Sequence, residues 1–197
     1  MLRNAVLALI AVLFVAHPAA AGKAPADTPT NTAVFAGGCF WCVEADFEKL
    51  PGVVDAVSGY SGGSLENPTY ERHTGHREAV LVTYDPAVVS YRALVEYFLR
   101  HIDPTDDGGQ FCDRGYAYTT AIWTANAEED DIARQAVVDA EKIIGATIVT
   151  PVEPRSKFWI AEDYHQDYYK KNKIKYSYYR TACGRDARVR KIWGAQK

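Results

Sequence analysis

The feature that most constrains the fold is a short apolar run, residues 33–36, that stops at two glycines and is followed at once by a helical pattern. The apolar residues of that pattern are Phe40, Val43, Phe47 and Leu50. Gly37 and Gly38 allow the tight turn that such a junction needs. The sequence therefore predicts a strand that feeds directly into a helix, with Cys39 where the helix begins.

The next segments continue the alternation of strands and helices. Residues 53–60 and 79–84 have the composition of strands, and residues 118–124 follow after a loop rich in Gly and Asp. Ser90 can cap a helix with the apolar face Tyr91, Leu94, Val95, Phe98 and Ile102. The resulting order β-α-β-β-α-β is that of the ferredoxin-like split β-α-β unit, so we predict an α+β fold with a mixed sheet.

The rest of the chain adds further elements to this unit. Asn126 and Glu129 form a capping box for a helix that ends near Ile144, and a strand over 147–152 and a short helix over 161–171 are expected to follow. Residues 172–197 are predicted to be a long irregular C-terminal tail. We assign residues 33–197 to a single catalytic domain.

The N-terminus has the pattern of an export signal. Arg3 precedes an uncharged run over residues 5–16, and small residues at 19–21 suit a signal peptidase. The run is too short for a stable membrane span, although an uncleaved anchor is the alternative. Residues 1–21 are thus predicted to be a signal peptide and residues 22–32 a flexible leader. We expect a periplasmic or secreted protein with no stable membrane insertion after cleavage.

Charge and cysteine content limit the classes of function. The formal net charge is -3 and the charges are mixed along the chain, which argues against nucleic acid as a partner. The four cysteines are Cys39, Cys42, Cys112 and Cys183. In an oxidising compartment an even number usually indicates structural disulfides, so a disulfide-stapled binding domain is one reading.

Cys39 and Cys42 favour a chemical role over a structural one. Amide groups and the dipole at a helix N-terminus stabilise an anion, so we expect the pKa of Cys39 to be lowered toward a reactive thiolate. Cys42 lies three residues later, within disulfide reach on one helix face. Such a C-x-x-C pair is also typical of periplasmic thiol-disulfide oxidoreductases, which we keep as the alternative function. Zinc bound by this pair with His73 and His76 is disfavoured because 30 residues separate the two motifs.

The string GGCFWCVE at residues 37–44 resembles the active-site signature of the A-type peptide-methionine (S)-S-oxide reductases. Five more blocks of that family have counterparts: NPTY at 67–70, TGHREAV at 74–80, YDP at 84–86, DRGYAYTTAI at 113–122 and AEDYHQDY at 161–168. The resemblance covers about residues 33–172. It implies reduction of methionine S-sulfoxide, free or in proteins, with repair of oxidised proteins as the purpose.

The same resemblance implies roles for individual residues. Cys39 would be the nucleophile, with Glu78, Tyr70 and Tyr118 around the sulfoxide oxygen. An attacked sulfoxide needs its oxygen protonated, which independently requires an acid such as a buried Glu78. The expected substrate-binding residues are Phe40, Trp41, Asp113, His165 and Tyr168, the last two on the rim of the site.

The chain departs from the family in its other thiols. Many members have glycine at the position of Cys42, and a tail cysteine where this chain has Ser177. We predict that Cys42 resolves a sulfenic acid on Cys39 by forming a disulfide, with Cys112 and Cys183 as alternative resolving thiols or a structural pair. The predicted reductant is an external dithiol such as a thioredoxin-like protein, with no metal or organic cofactor. We expect a monomer.

Overall fold

The computed structural model describes residues 29–194. The predicted signal peptide lies outside the described residues, as does most of the predicted leader. The last two leader residues, Asn31 and Thr32, already belong to the first strand, where Asn31 pairs with Tyr84. The leader therefore ends earlier than predicted, because these polar residues join a sheet. None of the described helices is both long enough and apolar enough to cross a lipid bilayer.

The predicted order of the first six elements is confirmed. In chain order they are β1 (Asn31–Gly37), α1 (Phe40–Phe47), β2 (Val53–Ser61), β3 (Arg77–Tyr84) and α2 (Tyr91–Leu99), followed, after the short hairpin β4 (Gly109–Gln110) and β5 (Asp113–Arg114), by β6 (Thr120–Thr124). The C-terminal elements are α3 (Ala127–Ile144), β7 (Val152–Pro154), β8 (Trp159–Ile160), α4 (Tyr168–Lys171), α5 (Lys173–Ala182) and α6 (Arg185–Trp193).

The sheet has the topology of the split β-α-β unit with two added edges. The strand order is β7-β6-β1-β3-β2-β8, and only β7 pairs in parallel, against β6. The four central strands β6-β1-β3-β2 are antiparallel neighbours. This arrangement places the C-terminal end of β1 beside the start of β3, so residues from the two strands meet at the beginning of α1.

Both faces of β1 are buried, which explains its nearly continuous apolar sequence. Phe35 stacks on Phe47 and Phe98 in the larger core, where α1, α2 and α3 cover the sheet. Val34 and Ala36 point to the other face and pack near Trp123. A strand buried on both sides has little freedom to slip, because a one-residue shift would exchange its two sets of side chains.

The capping predictions are confirmed in detail. The Ser90 hydroxyl accepts a hydrogen bond from the Ala93 amide at the start of α2. The Asn126 side chain accepts from the Glu129 amide, and the Glu129 carboxylate accepts from the Ala125 amide in return. These contacts satisfy amides that a helix N-terminus otherwise leaves unpaired.

Three predictions about the second half of the chain are wrong: those for the tail, for the helix over 161–171 and for the strand over 147–152. The tail is helical rather than irregular: α5 and α6 bury Tyr176, Arg185 and Val189, and their many polar residues hid this periodicity from the sequence pattern. The helix expected over 161–171 is reduced to α4 because Asp167 has a left-handed φ of 54°.

The strand expected over 147–152 begins only at Val152, where β7 starts. Upstream of it the Ile148 amide donates to the Glu141 carboxylate and the Val149 amide donates to the Pro104 carbonyl. These amides therefore form hydrogen bonds outside the sheet, which the hydrophobic composition of the segment does not reveal.

Candidate active site

The glycine turn sets the position of Cys39. Gly38 has a φ of +80°, and a Cβ atom on it would lie 2.5 Å from Cβ of Gln110. A larger residue is therefore excluded both by backbone conformation and by space. Cys39 is the N-cap of α1, and its carbonyl accepts from the amides of Cys42 and Val43.

The first free amide of α1 binds Glu78 on β3. The Phe40 N–H donates to Oε2 of Glu78 at 2.9 Å, and the Glu78 side chain is buried. Burial raises the pKa of Glu78 to about 8, and the negative charges of Asp113 and Cys42 add to this shift. At neutral pH Glu78 is therefore largely a neutral acid, with Oε2 held as the acceptor and the other oxygen free to carry a proton.

A small cavity of about 70 Å³ lies over the Cys39 sulfur and brings most of the predicted residues together. One water occupies about 30 Å³ of liquid, so the space suits the end of one side chain. Its lining residues are Cys39, Phe40, Trp41, Tyr70, Glu78, Asp113, Tyr118 and Tyr179.

Two tyrosines supply hydroxyl donors beside Glu78. Tyr118 hydrogen-bonds to Glu78, and Tyr70 hydrogen-bonds to Tyr118. Burial raises the pKa of both phenols, so both hydroxyls keep their protons over the range in which a protein is stable. Tyr118 lies in a 3-10 turn (Tyr116–Tyr118), one turn before the strand in which the sequence placed it.

Tyr179 is a site residue that the sequence analysis missed. Its hydroxyl donates to Asp113, and it also hydrogen-bonds to the Cys39 sulfur. Tyr176, Tyr179 and Cys183 follow the spacing of one helix face, which was the available signal. The sequence analysis predicted an irregular tail, so that periodicity was not read.

Cys39 and Cys42 are free and buried. Burial raises the pKa of the Cys39 thiol, and its hydrogen bond to Cys42 raises it further. The prediction that the helix N-terminus lowers this pKa is wrong, because burial of the thiol dominates. The Phe40 amide binds Glu78 instead of the Cys39 sulfur. The hydrogen bond between the two thiols is the main cause that lowers the pKa of Cys42 to about 7. Of the two thiols, Cys42 is therefore the one that ionises first.

The other two cysteines form a disulfide, one of the arrangements that the sequence left open. Cys112 and Cys183 are bonded, with their Cα atoms 4.9 Å apart. Cys112 precedes Asp113, and Cys183 lies one helical turn after Tyr179. The bond therefore ties the Asp113 loop to the end of α5, next to the cavity.

His165 and Tyr168 contact the Trp41 ring and are not among the residues that line the cavity. The Trp41 indole N–H donates to Nδ1 of His165 at 3.0 Å, and Tyr168 stacks on the Trp41 ring at 3.6 Å between centroids. His165 is buried, and burial lowers its pKa, so the ring is neutral and can accept this bond. They fix the Trp41 ring, and their place on the rim of the site stays a prediction.

The zinc alternative is not supported by the two histidines. The ring nitrogens of His76 are occupied by the Gly63 amide and the Leu65 carbonyl. His73 bonds to the Thr69 carbonyl and stacks on Tyr60. His76 is therefore a structural residue that holds the loop before β3.

A family model described as peptide methionine sulfoxide reductase matches residues 31–197. The chain belongs to this family of oxidoreductases. It is 56% identical over 164 residues to peptide methionine sulfoxide reductase MsrA 2 of Rhizobium meliloti, covering 82% of this chain and 83% of the relative. It is 49% identical to MsrA 2 of Caulobacter vibrioides, covering 93% and 97% of the two chains.

A solved structure, methionine sulfoxide reductase A of Corynebacterium diphtheriae, superposes with a TM-score of 0.69 at 35% identity. The match covers 74% of this chain and 76% of the other. The α+β fold class is therefore shared with solved reductases of this family.

The pKa of Glu78 makes a prediction about stability. Its folded-state pKa of about 8 lies above the ordinary value of 4.5, so ionisation in the unfolded chain removes stability as the pH rises from 4.5 to 8. Glu78→Gln should remove this loss. The free energy of unfolding, measured with urea at pH 5 and pH 8, should fall by roughly 3 kcal/mol more in the wild type than in the variant over that range. A constant difference between the two proteins would mean that Glu78 titrates normally.

Proposed function

We propose that this reductase converts methionine S-sulfoxide, free or in proteins, to methionine through a cysteine sulfenic acid and an intramolecular disulfide. The observation that carries the proposal is that the Cys39 sulfur, the neutral Glu78 carboxyl and two tyrosine hydroxyls face one small cavity. A nucleophile and a proton donor are therefore positioned for the two ends of an S=O bond.

In the first step the Cys39 sulfur attacks the sulfoxide sulfur. As the Cys39 sulfur bonds to the sulfoxide sulfur it gives up its proton, which the neighbouring Cys42 thiolate takes up through the hydrogen bond between them. Electrons move onto the sulfoxide oxygen, which takes a proton from Glu78 and hydrogen bonds from Tyr70 and Tyr118. The net result is oxygen transfer: methionine leaves as a thioether, reduced by two electrons, and Cys39 becomes a sulfenic acid.

In the second step Cys42 closes the cycle inside the protein. Cys42 returns to the thiolate by giving up the proton that it took up in the first step, and this thiolate attacks the Cys39 sulfur. An S–S bond forms, the S–O bond breaks, and the oxygen leaves with that proton as water. A thioredoxin-like dithiol then reduces the disulfide by exchange, taking up the two oxidising equivalents. The family relationship supports this choice of reductant, and the chemistry requires no metal.

Phe40 and Trp41 give the cavity an apolar wall. Aromatic rings attract sulfur and accommodate a methyl group, so we assign them to the methyl and thioether part of the substrate. The Trp41 ring is fixed by Tyr168 and His165, which makes the wall rigid. Glu78 and the tyrosine hydroxyls then define where the oxygen must point. The preference for the S epimer rests on the family, whose two enzyme types each reduce one epimer.

Export remains a proposal from the N-terminal sequence. The Cys112–Cys183 disulfide supports it, because such bonds persist in oxidising compartments. N-terminal sequencing of the protein from a periplasmic or secreted fraction should give a chain that starts after residue 21, whereas an intact N-terminus in the cytosol would contradict export.

The direct test of function is release of methionine from each sulfoxide epimer with dithiothreitol as reductant. We expect turnover of the S epimer only. Cys39→Ser should release no methionine, and Glu78→Gln should slow a single turnover by about 10²-fold. Turnover by the Cys39→Ser variant would contradict the proposal. Reduction of insulin disulfides without release of methionine would instead support the general thiol-disulfide oxidoreductase.

A second test identifies the resolving thiol. After one equivalent of substrate, wild type should contain the bonds Cys39–Cys42 and Cys112–Cys183 by mass spectrometry. Cys42→Ser should release its first methionine more slowly and then accumulate the Cys39 sulfenic acid. If Cys39 instead pairs with Cys112 or Cys183 as fast as wild type forms its disulfide, those residues resolve the intermediate and Cys42 does not.

A further inference from the structure

A buried ionic cluster lies beneath Cys42 and has no role in the steps above. Asp46 is one helical turn after Cys42 on α1, and its carboxylate is almost fully buried. It binds Arg180 of α5 at 2.9 Å and lies 3.7 Å from Nε of Arg185, the first residue of α6. Two guanidinium groups from the C-terminal helices therefore meet one carboxylate in the interior.

The two arginines are held close to the thiol pair by several contacts. Arg180 donates to the Tyr176 hydroxyl at 3.0 Å, and Tyr176 packs in the same cluster as Cys39 and Cys42. Arg185 is 3% exposed and donates to the Gly37 carbonyl, two residues before Cys39, and to the His101 carbonyl. Its Nε has no hydrogen-bond partner among the described residues.

The charges of this cluster do not cancel inside the protein. Its inner members are Asp46, the buried Arg185 and the partly buried Arg180. Two more exposed groups join it from the surface: Lys49 pairs with Asp46, and Asp186 pairs with Arg180. Buried charges are costly unless they are paired. A thiolate on Cys42 is the nearby group that supplies the missing negative charge.

We propose that Arg180 and Arg185 are positioning residues that hold the negative charge on Cys42 and so prepare it to attack the Cys39 sulfenic acid. This inference rests on the proposed resolving role of Cys42. Positive charge favours the thiolate, which is the attacking form in disulfide formation. Both arginines contribute to the lowered pKa of Cys42, after the hydrogen bond from Cys39.

Other titratable groups that face the pair do not supply the positive charge. Burial lowers the pKa of His101, so it is neutral, and burial raises the pKa of Tyr176 and of Tyr179. The charged and titratable groups around Cys42 and Asp46 are Cys39, Asp46, Lys49, Glu78, His101, Tyr176, Tyr179, Arg180, Arg185 and Asp186.

The test measures the ionisation of Cys42 directly and needs no substrate. In a Cys39→Ser background Cys42 is the one remaining free thiol, since Cys112 and Cys183 are bonded. Its thiolate absorbance in the ultraviolet is titrated with pH. Adding Arg180→Gln should raise the midpoint by about one pH unit, and adding Asp46→Asn should lower it by a comparable amount. Opposite shifts are the signature of charge, because mere loosening would move both variants the same way.

Arg188→Gln is the matched control. Arg188 also lies on α6 and forms an ion pair, with Asp103, but it is not among the groups that chiefly set the pKa of Cys42. Its midpoint should equal that of the background. If Arg180→Gln does not fold, Arg180→Lys, expected to keep the midpoint, and Asp46→Asn carry the test. The inference is overturned if the midpoints of Arg180→Gln and Asp46→Asn are unchanged or shift in the same direction.

The kinetic consequence is measured in chains with Cys39 intact. The pH midpoint of Cys39–Cys42 disulfide formation after one turnover should rise with Arg180→Gln by the same amount as the thiol midpoint. A rate of disulfide formation with an unchanged pH profile would overturn the positioning role. Absence of methionine release from wild type would instead defeat the proposed function, so the two failures are distinguishable.

Discussion

The hydrogen bond from the Phe40 amide to Glu78 is the contact on which the site depends. It joins the N-terminus of α1 to β3, and it exists because the glycine turn brings the helix start directly against the sheet. The amide that would otherwise stabilise a Cys39 thiolate is used to orient a carboxyl group. The site therefore places a neutral acid, rather than a permanently charged sulfur, at the helix N-terminus.

This use of the Phe40 amide keeps the neutral acid apart from the negative charge of the thiol pair, as the proposed reaction requires. Burial keeps Glu78 protonated and raises the pKa of Cys39, while the negative charge of the thiol pair rests on Cys42. Glu78, the proposed proton donor, and Cys39, the proposed nucleophile, line the same small cavity. Tyr179 joins the cavity to α5, and the Cys112–Cys183 disulfide fixes that helix to the Asp113 loop.

The sequence predicted the first half of the fold well because its signals are local. The caps Ser90 and Asn126 and the apolar spacing in α1 and α2 depend on neighbours within a few residues. The site residues Cys39, Tyr70, Glu78 and Tyr118 came from ordered motifs, and the structure brings them together. The prediction of an irregular tail was wrong because α5 and α6 pack through polar groups, including Arg180 and Arg185 against Asp46. The direction of the pKa shift of Cys39 was predicted wrongly because burial, its main cause, depends on tertiary packing that a local motif does not reveal.

The central claim is that Glu78 is a neutral acid at the pH at which the enzyme works. It is tested most directly by infrared difference spectroscopy of wild type against Glu78→Gln, following the C=O stretch of a protonated carboxyl group as the pH rises. The account predicts a band that belongs to Glu78 and disappears with a midpoint near the pKa of about 8. Loss of that band near the ordinary carboxyl pKa of about 4.5 would contradict it.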